Sequence, residues 1–236
     1  MIPGADLARR GQDPFDALAP AYDRTLPPHV TAHYLNQRVR FMCERIKSGP
    51  VLDVGCGTGA LAEKLLSKGY QVIGTDASVG MLQVYRSRTA SVPVAALSHA
   101  LPFPSDTFQG AVSVALLHHI ADAERVRSSL GEIHRVVRRG GLLVIWDHNP
   151  ANPYWPVLMK KVPQDSGQER LIPRAEIRQG LRLAGAGSIA VFNKGFVPDF
   201  IPPALLPLMR WVEAGLEGLP LFRRLAAHNV VVVRKN

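Results

Sequence analysis

At 236 residues, with 47% hydrophobic and 20% charged positions, the chain is long enough for one domain with a sizeable core and too apolar for disorder. Its net charge of +9 would suit an anionic partner, but the basic residues lie in scattered pairs (Lys160-Lys161, Arg223-Arg224, Arg138-Arg139) without interleaved aromatics. They read as a solvated surface, with peripheral contact to a membrane surface as the second reading; DNA is excluded and RNA disfavoured. Cys43 and Cys56 offer neither a disulfide framework nor metal-ligand spacing, the first residues lack a secretory apolar segment, and no apolar run reaches the roughly 18–20 residues that span a bilayer. A cytoplasmic protein without a metal is expected, and nothing sets its oligomeric state.

Residues 1–14 read as a loose tail, and Phe15–Arg24 (FDALAPAYDR) as a short helix broken by Pro27-Pro28. His29–Lys47 carries Val30, Tyr34, Leu35, Val39, Met42 and Ile46 at helical spacing, up to Ser48-Gly49-Pro50. Strand and helix then alternate: strand 51–54, helix 59–68, strand 70–76, helix 78–88 and strand 92–97. After the proline-punctuated loop LPFPSDTF come strand 110–116, a helix over 122–137 ended by Arg138-Arg139-Gly140-Gly141, and strand 142–146. Such alternation predicts an α/β fold with a parallel sheet covered on both faces. Residues 147–172 hold too much proline for regular structure. Residues 173–184 read as a helix with apolar Ile177, Leu181 and Leu183, residues 188–193 as a strand, and NVVVVR (229–234) as a terminal strand.

Residues 195–227 do not belong to a plain doubly wound fold. Leu205, Leu208, Trp211, Val212, Leu216 and Leu219 approximate a helical stripe, with Arg210, Arg223 and Arg224 nearby. Two readings stand: an elaborated core between the last two strands, or an apolar acceptor pocket or membrane-docking face.

The chemistry centres on Val51–Leu61, VLDVGCGTGAL. A strand, a glycine-rich turn and a helix N-terminus favour a ligand approaching the main chain. The string satisfies G-x-G-x-x-A, with Asp76 about 20 residues on, as a dinucleotide fingerprint asks. Against a nicotinamide enzyme, Asp53 would repel a pyrophosphate, Gly59 adds a glycine at alternate spacing, and no Tyr-x-x-x-Lys pair exists. An acidic residue here suits a ligand with a cationic end and no phosphate, such as S-adenosylmethionine. His118 and His119 follow the fourth strand, and Asp147 and His148 the fifth, where open α/β sheets place their ligands. Catalytic base and packing or substrate-shaping roles both fit these histidines. Cys56 reads as a small packed residue rather than a nucleophile.

The stretches FDALAPAYDR, VLDVGCGTG, GTDAS with Met81, ALPFPSDTF, LLHHI and EIHRVVRRGGLLVIWDHNPANP match, in order, a known pattern over residues 15–155. On these motifs the chain resembles the class I S-adenosylmethionine-dependent methyltransferases, ubiquinone/menaquinone-type small-molecule branch. The resemblance implies a Rossmann-like sheet of seven strands in order 3-2-1-4-5-7-6, strand 7 antiparallel. It also implies a tail and helical lid over 1–47, and a methyltransferase domain over 48–236 with a substrate-side insertion at 195–227.

By the same resemblance, Asp53, Gly55, Cys56 and Gly57 would line the methionine and ribose portion of the cofactor, and Asp76 would hold the ribose hydroxyls. Ala77 and Met81 would flank the adenine, Ala115 and Leu116 would touch the methionine portion, and Tyr22 would fold over as part of the lid. Leu97 and Ser98 stand where the family often has an Asp-Ala pair, so adenine recognition here would rest on backbone and packing. Gln109 and Arg139 replace a usual Asp and Pro. The expected activity is O- or C-methylation of a small lipophilic or aromatic acceptor. A non-catalytic cofactor-binding protein, an RNA methyltransferase and a nicotinamide-linked oxidoreductase are the alternatives.

Overall fold

The computed structural model describes residues 14–165, 167 and 169–236; all but the last residue of the expected tail lies outside them. The chain opens with α1 (Pro14–Leu18), a 3-10 turn (Tyr22–Arg24) and α2 (Pro28–Arg45). The expected single helix over Phe15–Arg24 is therefore two pieces, interrupted at Ala19-Pro20. The alternating part runs β1 (Pro50–Val54), α3 (Ala60–Leu66), β2 (Gln71–Asp76), α4 (Val79–Arg88), β3 (Val94–Ala95), β4 (Phe108–Val114), α5 (Ala123–Val136) and β5 (Val137–His148). The chain closes with α6 (Trp155–Leu158), α7 (Arg174–Leu183), β6 (Ile189–Lys194), α8 (Leu206–Gly218) between 3-10 turns at Pro203–Leu205 and Phe222–Leu225, and β7 (His228–Arg234).

The seven strands form one sheet in the order β3-β2-β1-β4-β5-β7-β6. Strands β1 to β5 pair in parallel, while β7 runs antiparallel to both β5 and β6. The expected fold class holds. Alternate residues of each strand serve opposite faces. Leu52, Val54, Leu143, Ile145, Val231 and Val233 pack with Leu130 and Ile133 of α5 and Ile177 and Leu181 of α7. Val51, Val112, Val144, Trp146, Val230 and Val232 pack with Val39 and Met42 of α2, Leu65 of α3 and Tyr85 of α4. Burial on both faces is why β7 reads as an unbroken valine run.

Four local expectations need correction. Strand β3 is only Val94–Ala95, held to β2 through Thr75 and Asp76, and Val92 stands exposed. Gly140 and Gly141 do not separate α5 from β5: the strand starts at Val137, and a register jog places Phe108 opposite Val137 but Gly110 opposite Leu142. Strand β4 stops at Val114 because Ala115 turns to a φ of 51°. The proline-rich stretch after β5 still forms one helical turn, α6.

The largest departure is in α8. Trp211, Leu208, Val212, Leu205 and Leu219 are exposed, whereas Glu213 is buried. Leu206 and Met209 reach inward, against Val30, Val197 and Ile201, and Leu216 is half-buried. The helical stripe exists, but most of it faces solvent, so it is not an elaborated core.

Candidate functional site

The turn after β1 is shaped by three glycines with left-handed backbone: Gly55 (φ 72°), Gly57 (52°) and Gly59 (82°), conformations that cost an L side chain roughly 1–2 kcal/mol. Gly55 and Cys56 donate their N–H groups to Thr75 O at 2.8 and 3.0 Å, fastening the turn to β2. Gly57 N–H donates to Asp76 Oδ2 at 2.9 Å, and Ser78 N–H to Oδ1 at 2.9 Å. Asp76 is thus oriented by backbone at the carboxyl end of β2. Ser78 caps α4, accepting from Met81 N–H at 3.1 Å.

The N-terminal elements close over this turn. Asp16 Oδ1 accepts from Ser78 Oγ at 2.6 Å and from Gly80 N–H at 2.8 Å. Asp23 accepts from Thr58 Oγ1 at 2.8 Å and pairs with Arg88. Phe15 meets His119 edge-on at 5.0 Å.

Two adjoining cavities result. The smaller, about 470 Å³, is lined by Tyr22, Gly55, Gly57, Asp76, Ala77, Met81, Leu97, Ser98, Ala115 and His119. With Leu116, eleven of the residues singled out in the sequence therefore line one cavity. Ser98 Oγ is hydrogen-bonded to Ser129 Oγ at 2.8 Å, and the buried Leu97 contributes only apolar surface. Asp53 and Cys56 border the larger cavity instead. The Cys56 sulfur lies against Gly74, in the core with Tyr85, and burial, then Asp53 and Asp76, push its thiol up. Asp53 is buried, its Oδ2 finds no hydrogen-bond partner among the described residues, and burial followed by the Asp76 charge pushes its carboxyl up to about 7. A buried carboxyl with one unpartnered oxygen beside a backbone turn fits the cationic end of an S-adenosylmethionine, and Gly57, where an added Cβ would meet nothing within 4 Å, leaves room for it.

The larger cavity, about 710 Å³, is lined by Tyr34, Leu35, Arg38, His118, His148, Trp155, Leu158, Val162, Asp165, Val197 and His228, and meets the smaller one at Gly55, Gly57, Ala115, Tyr22 and His119. Its rings follow one another in series, His119 tilted at 43° against His118 at 4.0 Å, His118 stacked on His148 at 4.0 Å and His148 stacked on Trp155 at 3.5 Å between centroids. His118 Nδ1 lies 2.7 Å from Asp147 Oδ1. Asp147 also accepts the N–H groups of Leu117 and His148, each at 2.7 Å. Burial alone would raise the Asp147 carboxyl, but the His118 ring and these bonds hold it below its ordinary value. It is therefore ionised and only accepts, so the proton between the two groups lies on His118 Nδ1 and Nε2 is left facing away from the carboxylate.

Burial, with His118 next, pushes His119 down to about 3. Burial and then Arg38 push His228 down to about 3, and burial drives His148 well below its ordinary value; all three rings are neutral at pH 7. His118, His119 and Asp165 also offer ligand atoms within 4.8 Å of one another. Sequence reasoning missed Arg38, Trp155, Asp165 and His228. They come from four separated elements, and no motif marks them.

Seven strands in this order, around a glycine turn bordered by Asp53 and Asp76, agree with the architecture expected of a class I S-adenosylmethionine-dependent methyltransferase. Residues 52–145 match the methyltransferase domain family. The demethylmenaquinone methyltransferase of Renibacterium salmoninarum is 29% identical over 173 residues, covering 69% of this chain and 71% of that protein. The ubiquinone/menaquinone biosynthesis C-methyltransferase of Geobacter sulfurreducens is 32% identical over 154 residues, 59% of this chain and 58% of that protein. A tRNA (carboxymethyluridine(34)-5-O)-methyltransferase of Xenopus tropicalis is 36% identical over 109 residues, 45% of this chain, which spans only 17% of that protein. In structure, a SAM-dependent methyltransferase of Thermotoga maritima superposes with a TM-score of 0.69 at 19% identity, covering 94% of this chain and 98% of that one. S-adenosylmethionine is the cofactor of this class. Among the described residues no helix is long and apolar enough to cross a membrane.

Proposed function

We propose that the protein transfers the methyl group of S-adenosylmethionine to an acidic oxygen, or to the carbon conjugated with it, on a small lipophilic or aromatic acceptor. The observation that carries this reading is the larger cavity's combination of apolar wall residues with an arginine, Arg38, and a histidine backed by a carboxylate, His118 with Asp147. The methyl group of bound S-adenosylmethionine is activated by its sulfonium, so the protein must mainly position the acceptor and exclude water.

Each residue then has a task. Asp76 holds the ribose hydroxyls, and Asp53 faces the cationic portion. His118 Nε2 takes the proton of the acceptor hydroxyl, and Asp147 stabilises the imidazolium that forms. Arg38 holds the resulting anion: burial lowers its pKa from the ordinary value, yet a guanidinium keeps its charge inside proteins. Leu35, Leu158, Val162 and Val197 receive the apolar body of the acceptor. The helix α1 and the Tyr22 turn act as the lid.

The test is incubation with radiolabelled cofactor and a panel of phenols, hydroquinones, enols and amines. Label is expected on the acidic-oxygen classes; transfer confined to amines overturns the acceptor assignment. Calorimetry with cofactor alone tests the first cavity, where Asp76→Ala is expected to weaken binding by about 10–100-fold through two lost hydrogen bonds.

A further inference from the structure

The surface between Phe200 and Leu225 is inverted relative to an ordinary surface helix. Nine of the thirteen large apolar side chains left exposed among the described residues fall in this stretch, including Trp211 at 82%, Leu221 at 71% and Leu208 at 61%. Single exposed leucines need no explanation, whereas a cluster of this kind marks an interaction surface.

The inner face of α8 fixes this orientation. The buried Glu213 accepts from Phe196 N–H at 2.7 Å and pairs with His33 Nε2 at 2.8 Å. One turn later Glu217 accepts from Gly195 N–H at 3.0 Å and pairs with Lys194. Turning the helix to bury Trp211 would strip both carboxylates of these partners and leave the N–H groups of Gly195 and Phe196 without acceptors, a heavy penalty for buried polar groups. Exposure of the apolar stripe is built into the fold.

Charge selects what covers it. Between residues 200 and 227 the only acidic residues are Glu213 and Glu217, both paired on the inner side, whereas Arg210, Arg223 and Arg224 are exposed. The outer face is apolar and cationic with no anion. That combination suits an anionic bilayer surface, where leucine, phenylalanine and tryptophan enter the boundary between headgroups and acyl chains and arginine meets phosphate. The face is also continuous with the larger cavity: Val197 and Phe200 line that cavity, and Phe200 packs against Tyr154 at 5.9 Å.

We propose that the α8 face, from Leu205 to Leu225, docks on anionic lipid bilayers and turns the mouth of the larger cavity toward them, so that a lipid-soluble acceptor enters from the membrane. The delivery step rests on the acceptor reading above; the docking does not.

Sedimentation of the full chain with phosphatidylcholine vesicles, with and without phosphatidylglycerol, tests it. Binding is expected to the anionic vesicles, weaker at high salt, with a blue shift of tryptophan emission. The double variant Leu208→Asp/Trp211→Asp is expected to bind about tenfold or more weakly, and Arg223→Ala/Arg224→Ala to lose the salt-sensitive part. Both touch only exposed positions, and unchanged calorimetric binding of S-adenosylmethionine certifies that they are folded. Wild type that does not sediment, or a double variant that sediments equally, overturns the docking. So does a wild-type dimer that Trp211→Asp splits in the absence of vesicle binding, which assigns the face to a second copy. Vesicle binding with methyl transfer to water-soluble phenols but none to vesicle-borne ones overturns the delivery step and leaves the methyl-transfer reading intact.

Discussion

The two cavities meet at Gly55, Gly57 and Ala115 but are made of different material. The smaller one is built largely of strand ends: a glycine turn after β1, Asp76 held by two backbone N–H groups after β2, Ala115 in a left-handed conformation after β4. Its shape follows from the sheet. The larger one is built of side chains from α2, the segment after β5, the segment after β6 and the start of β7, and its rings are set against one another, as in the stack from His118 through His148 to Trp155. A cofactor common to a whole class can be held by geometry that every member folds into. An acceptor must be held by whatever each chain adds around that geometry.

The sharpest way to break this comparison is to damage the second cavity alone. His118→Ala is expected to lower turnover by about 10²–10⁴ while calorimetric affinity for S-adenosylmethionine stays within about twofold. Asp147→Asn should follow it in direction, because an amide can donate and would permit the wrong tautomer of His118. A parallel loss of cofactor affinity would show that the two cavities are not separable. Addition of a chelator is expected to leave turnover unchanged. A chelation-sensitive enzyme would instead make His118 a ligand, together with His119 and Asp165 or with Asp147 and His148, since the ligand atoms of each group lie within 4.8 Å of one another.

Next in size is Asp53, which belongs to the first cavity by sequence and borders the second in space. Its carboxyl is raised from 3.8 to about 7 by burial and by Asp76. Between those values the folded, cofactor-free protein binds a proton that the unfolded chain does not, so stability falls as pH rises from about 4 to 7 and stays reduced above. Asp53→Asn is expected to remove this fall, stabilising the free protein at pH 8 by on the order of 1–4 kcal/mol. It should also abolish the strengthening of cofactor binding between pH 5 and 8 that is expected of wild type as the carboxylate ionises. Thermal melts and calorimetry at both pH values check it; identical pH dependence in the two proteins removes Asp53 from the site.

The alternation of strands and helices was legible in the sequence because it is set by near neighbours, apolar residues at period two or three to four, whereas the strand order and the candidate cofactor residues came through the family resemblance of the motifs. Gly55, Asp76 and Met81 lie within 30 residues of chain, and the sheet brings them together without help from elsewhere. Arg38 and His228 are separated by most of the chain and carry no motif, so nothing local could pair them. The α8 stripe was legible as a stripe but not as a surface. Periodicity gives the apolar face of a helix, and the usual inference that it points inward fails here because Glu213 and Glu217 are consumed by His33, Lys194 and two backbone N–H groups. A helix follows its best-satisfied polar contacts when those are buried.

The glycine turn allows the finest cut, because neighbouring glycines serve different ends. At Gly59 an added Cβ would lie 2.6 Å from the Tyr85 ring at a φ of 82°, so Gly59→Ala combines overpacking with backbone strain and should cost about 2–4 kcal/mol of stability. At Gly57 nothing lies within 4 Å of the added atom, leaving only the strain of a left-handed alanine, about 1–2 kcal/mol. That methyl, however, projects beside the Gly57 N–H that orients Asp76, into space shared by both cavities. Gly57→Ala is therefore expected to fold at 25 °C with a modestly lowered melting temperature and to bind S-adenosylmethionine at least tenfold more weakly, whereas Gly59→Ala should lose stability first and retain affinity in whatever fraction folds. Denaturant melts paired with calorimetry separate the two, and the reverse ranking would mean that the open side of the turn is not the side the cofactor uses.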